Sequence, residues 1–136
     1  MEEVFKHFTI PVPMFNAVVH VVYADDGKDW PKATSLLTNP YGVLRDEVVK
    51  YVEYCAEGEL PNAACTYFGK TIIILLNKEH FRESTLVHEC VHAAQFLEEA
   101  SQIKDSSGEF QAYVSAYVFR EVKRGLAERG LIMIKE

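Results

Sequence analysis

The residues that decide how this chain folds are Thr71–Gln95, TIIILLNKEHFRESTLVHECVHAAQ. They open on an apolar, β-rich run, Thr71 to Leu76, that has no polar alternation and so predicts a strand covered on both faces. After a polar step the period changes. Leu86, Cys90, Ala94 and Leu97 recur every three to four residues, which predicts a helix from about Phe81 or Ser84 to Ala100. A strand that leads so soon into an amphipathic helix keeps the two elements close in space.

Working outward, Ala63 to Phe68 is a second β-rich run, separated from Thr71 only by Gly69-Lys70. Glycine in the first loop position suits a two-residue type II′ hairpin. Phe8 to Val12 and Ala17 to Tyr23 read as two more strands, the first at a sheet edge because Pro11 and Pro13 cannot donate to a ladder. Asp25-Asp26-Gly27 is a turn signal. Asp29-Trp30-Pro31 starts a short helix that Asn39-Pro40 stops, and Leu44, Val48, Val52 and Cys55 mark a longer one before Gly58 and Pro61. Downstream, a polar spacer from Ser101 to Gly108 precedes a helix from Glu109 to about Arg129, with Phe110, Val114, Val118 and Val122 inward. Gly130 ends that helix, and Leu131 to Ile134 form a short apolar tail.

Composition narrows the function classes. A chain of 136 residues that is 49% hydrophobic can bury one core, and no repeat or linker divides it, so a single domain over residues 1–136 is expected. The net charge of −6 repels a phosphate backbone, which argues against nucleic acid as a partner. No apolar run is long enough for a membrane helix, and MEEVFKHFTIPVP lacks the basic start of a signal peptide, so a soluble, cytoplasmic protein is expected. Cys55, Cys65 and Cys90 form no C-x-x-C pair and read as reduced, buried fillers.

Within the helix, His88-Glu89-Cys90-Val91-His92 carries the pattern H-E-x-x-H. Residues four apart lie ~40° from each other on an α-helix, so both imidazoles can address one ion. Zinc accepts histidine nitrogens, and a catalytic site adds a third protein ligand while keeping one position for water. Glu89, beside the first histidine, is placed to take the proton of that water. The alternative, two solvated histidines on a helix face, stays open at this stage.

Three carboxylates compete for the third place. Glu98 stands where a turn at glycine would be needed, and that position holds Gln95. Glu99 lies on the right face but ~10.5 Å further along the axis. Glu109 opens the next helix and can be folded back by a helical hairpin. Its competing role is a capping box, since Ser106-Ser107-Gly108-Glu109 fits S-x-x-E.

With Glu109-Phe110-Gln111-Ala112-Tyr113, VHECVHAAQ resembles the zincin metallopeptidases of the gluzincin type, in which a glutamate on the next helix follows H-E-x-x-H. More narrowly, STLVHECVHAAQ followed by GEFQAY is similar to small zincin-like peptidases of phages and prophages; the match covers about residues 84–120. The resemblance implies an α+β, zincin-like fold with a small sheet on the active-site helix and an edge strand, here Thr71 to Leu76, that aligns a peptide. It implies zinc held by His88, His92 and Glu109, with Glu89 as base and later proton donor. The expected activity is zinc-dependent hydrolysis of a peptide or protein substrate. The runner-up is a small acidic interaction protein with a structural or vestigial zinc site. Thermolysin-like members carry an aspartate four residues after the glutamate ligand, where this chain has Tyr113. Tyr113 is a candidate for steadying a histidine or an oxyanion, although packing between helices explains it and Tyr117 more simply. His20 and His80 are further candidates to assist, and His7 sits near the chain start.

Overall fold

A computed structural model describes residues 5–25, 29–31, 50, 63–78, 82–104 and 107–131. The turn at Asp26-Gly27, most of the two helices expected between Asp29 and Cys55, His80, and the tail after Leu131 lie outside the described residues. What is described is α+β: a mixed four-stranded sheet and two helices.

The strands are β1 (Phe5–Val12), β2 (Ala17–Ala24), β3 (Ala63–Phe68) and β4 (Thr71–Asn77), in the sheet order β1-β2-β4-β3. β1 and β2 form an antiparallel hairpin around a single 3₁₀ turn at Pro13–Phe15, which Asn16 leaves in the left-handed region at φ 52°. β2 and β4 run parallel, and β3 and β4 form the second antiparallel hairpin. Gly69 has φ +56° while Lys70 stays out of the positive-φ region, as a type II′ turn requires. Among the described strands, the proline-bearing β1 is an edge, as expected.

One expectation is corrected. Thr71 to Leu76 is not an edge: β4 pairs with β2 on one side and β3 on the other. The physical reason is legible in its composition, since Ile72, Ile73, Ile74, Leu75 and Leu76 are all buried and only an interior strand hides both faces. The edge on that side, among the described strands, is β3.

Alternation along the strands sends side chains to two separate layers. Phe8, Ile10, Val12, Val19, Val21, Tyr23, Ile72, Ile74 and Leu76 meet the helices. Val22, Ala24, Ile73 and Leu75 meet Trp30 on the other face, where the indole N–H donates to the carbonyl of Leu76 at 3.2 Å. Trp30 is thus part of the core.

Helix α1 (Glu83–Ala100) buries Leu86, Cys90, Ala93, Ala94 and Leu97, and helix α2 (Glu109–Glu128) buries Val114, Val118, Val122 and Leu126. They pack side by side, α1 over β3 and β4 and α2 toward β1. Both end in Schellman geometry. In α2 Gly130 at φ +67° lets Leu131 N–H reach the carbonyl of Leu126. In α1 the same left-handed position is filled by Gln102 at φ 56°, and Ile103 N–H reaches the carbonyl of Glu98. Gly125 on α2 faces the ring of Phe8, and a Cβ there would fall 2.3 Å from it, so the small residue permits the close approach of helix and strand.

Candidate metal centre

Four-residue spacing on α1 brings the Nε2 atoms of His88 and His92 to within 3.1 Å of each other. Two nitrogens each ~2.0–2.1 Å from one tetrahedral ion stand roughly 3.3–3.4 Å apart, so the rings need open by only a few tenths of an ångström. The rings meet edge to face, with centroids 4.7 Å apart and planes inclined by 79°. His88 is exposed and His92 half-buried, so the gap between them is open to solvent.

His92 is held from two sides. Its Nδ1 lies 3.2 Å from Oε1 of Gln95, and its ring stacks on Phe96, with centroids 6.0 Å apart and planes within 17°. Phe96 stacks in turn on Tyr67 of β3 at 4.3 Å, so an aromatic ladder ties the histidine to the sheet edge. The phenol of Tyr67 donates to Glu99 at 3.4 Å. Glu99 therefore has a structural partner, a full two turns from His92.

Glu89 is buried, at 6% exposure, and burial pushes its carboxyl pKa up while the neighbouring His88 and His92 pull it down. Beneath it, burial also holds both nearby thiols protonated: Cys90 is pushed up to about 12 and Cys65 well above its usual value. These are packing cysteines without the lowered pKa of a nucleophile.

Glu109 opens α2. Glu83 of α1 takes the ammonium of Lys123 on α2 at 2.9 Å, so position 83 marks the side of α1 that faces α2. His92 follows Glu83 by nine residues, roughly half a turn away at ~100° per residue, on the side of β3. Among the described residues, which include His88, His92 and Glu109, no three His, Cys, Asp or Glu side chains are grouped so as to hold a metal ion. Nor does Glu109 close a capping box. It is the first residue of α2 after Gly108, not the third, and its N–H donates to the Ser107 hydroxyl at 3.2 Å.

Instead, Glu109 borders an apolar cavity of about 620 Å³ lined by Val12, Met14, Phe15, Phe110 and Tyr113 among others. Tyr113 is 76% exposed there, so it does not pack between the helices. Tyr117 behaves as a packing tyrosine, its hydroxyl donating to the carbonyl of Pro11 at 2.7 Å.

His20 and His7 form a second pair, which sequence reasoning missed. They face each other across β1 and β2, with Nε2 of His7 2.9 Å from Nδ1 of His20 and rings stacked at 5.1 Å. His7 therefore belongs to a strand rather than to a loose chain end. By strand alternation His20 shares the sheet face of Val22 and Ala24, opposite α1. Burial drives its pKa down to about 4, with a smaller contribution from His7. Two histidines on different strands at a diagonal are invisible until the register is known; the signal available beforehand was only that both lie in β-rich runs.

No family model, no curated protein and no solved structure matches this chain.

Proposed function

We propose that the chain is a zinc-dependent hydrolase of the zincin-like type, with a peptide bond as its substrate. The observation that carries this reading is the approach of the two Nε2 atoms to 3.1 Å beside a buried Glu89. His88 and His92 would hold the ion, which supplies Lewis acidity toward the scissile carbonyl and an acidified water. Glu89 takes the proton of the attacking water on its carboxylate and returns it to the leaving amine nitrogen. Among the described strands β3 is an edge beside α1, and an edge strand suits an extended peptide laid antiparallel or parallel to Ala63–Phe68. The free thiols of Cys65 and Cys90 fit a reducing, cytoplasmic setting.

The third ligand that the gluzincin resemblance assigns to Glu109 is not grouped with the two histidines among the described residues. That same observation favours a second reading, a small acidic interaction protein whose two-histidine site binds metal without turnover. Glu89→Gln separates the two. Measured as zinc content and cleavage of a peptide library, the variant should keep its zinc and lose about 10²–10⁴-fold in rate. Cleavage retained in Glu89→Gln would remove the mechanism, and stoichiometric zinc with no cleavage in the parent chain would establish the second reading.

A further inference from the structure

We propose that Gln95 is a positioning residue that sets the tautomer of His92 and so presents its Nε2 lone pair to a metal ion; the ligation half of this rests on the zinc reading above. Gln95 occupies the place where other H-E-x-x-H patterns put a helix-ending glycine, and here the helix runs on through it to Ala100. One turn of uninterrupted helix brings its side chain alongside His92, with Oε1 at 3.2 Å from Nδ1. An amide oxygen only accepts, so the hydrogen on this contact is carried by His92 Nδ1. A neutral imidazole has one N–H, and Nε2 is therefore left with its lone pair. In the metal-free chain the 3.1 Å contact between the rings is then completed by His88, whose Nε2–H donates to His92.

The geometry restrains position as well as protonation. Phe96 backs the ring of His92 on one side, stacked within 17° of it, and is itself seated on Tyr67. Gln95 stops the remaining freedom, rotation that would exchange Nδ1 for Nε2. A carboxylate or carbonyl on the distal nitrogen of a metal-bound histidine is the usual means of fixing ring and tautomer, and losing it costs about 10–100-fold in metal affinity. The aspartate that thermolysin-like members carry four residues after the glutamate ligand is replaced here by Tyr113, which is exposed at the apolar cavity. The support for His92 comes from its own helix instead.

The test uses the full chain, first without metal. Long-range ¹⁵N–¹H correlation at about pH 8, where a surface imidazole is neutral, should show His92 as the Nδ1–H tautomer in the parent chain and in Gln95→Glu. In Gln95→Leu it should move toward Nε2–H. Gln95 is exposed, so neither substitution disturbs the core, and unchanged backbone resonances check this. Competition for zinc against a chromophoric chelator should then show Gln95→Leu weakened about 10–100-fold, with Gln95→Glu binding at least as well as the parent. An Nε2–H tautomer for His92 in the parent chain, or a Gln95→Leu variant with tautomer and zinc affinity both unchanged, overturns the assignment. A parent chain with the Nδ1–H tautomer that binds no zinc removes the zinc reading and leaves the orienting role of Gln95 standing.

Discussion

The molecule holds two histidine pairs with nearly the same nitrogen separation, 3.1 Å for His88 and His92 on α1 and 2.9 Å for His7 and His20 on β1 and β2. Distance alone therefore does not distinguish a metal centre from a packing contact. The helical pair opens to solvent, turns both Nε2 atoms to one point, has Gln95 on the distal nitrogen of His92, and adjoins the buried carboxyl of Glu89. The strand pair stacks flat, with planes within 16°, and places the Nε2 of one ring against the Nδ1 of the other. In one arrangement an ion can take the place of the hydrogen between the two Nε2 atoms; the other places His20 at 7% exposure in the sheet and disfavours any added charge.

The contrast is sharpest in metal affinity. If about 10–16 kcal/mol of zinc binding is shared over four ligands, each contributes roughly 3 kcal/mol, so His92→Ala should weaken zinc binding by at least about 100-fold. His7→Ala should leave it within about twofold by the same competition assay, since a residue outside the site contributes none of that energy. Equal losses in both variants would mean that the strand pair binds the ion.

The strand pair should reveal itself in stability. Folding depresses the His20 pKa from 6.5 to about 4, so the unfolded chain takes up a proton before the folded one does. The stability contributed by neutral His20 is fully present above about pH 6.5 and is lost as pH falls toward 4, by up to about 3 kcal/mol. Urea titrations between pH 7 and pH 4 should show this decline in the parent chain and a flatter profile in His20→Phe. Identical profiles would show that the sheet tolerates a charged imidazole, and the comparison with α1 would lose its basis.

The smallest expected effect concerns Glu109. Because it is not grouped with the histidines among the described residues, Glu109→Gln should change zinc affinity by less than about twofold, where a true ligand would cost roughly 100-fold. A loss of the larger size would show that the first turn of α2 reaches the histidines when metal binds, and would restore the gluzincin ligand set.

These contrasts also mark how far the residues could be read in advance. The hairpin at Gly69-Lys70, the two upstream strands, the edge position of the proline-bearing one among the described strands, the two helices and the glycine that ends α2 follow from local pattern, because each depends on neighbours a few residues away. His88, Glu89 and His92 are likewise a local matter, one turn of one helix. The interior place of β4 was half legible in TIIILL, whose double-sided apolarity argued against the edge role that the family resemblance suggested.

What needed the tertiary structure was every relation between elements. The sequence by itself determined that α1 carries two convergent imidazoles and an acid, since helical periodicity leaves no freedom there. It did not determine which side of α1 would receive α2, and in the structure it is Glu83, about half a turn from His92, that meets Lys123 of α2. Nor could it pair His7 with His20, because a cross-strand contact is set by register, and register is set by which apolar faces find each other.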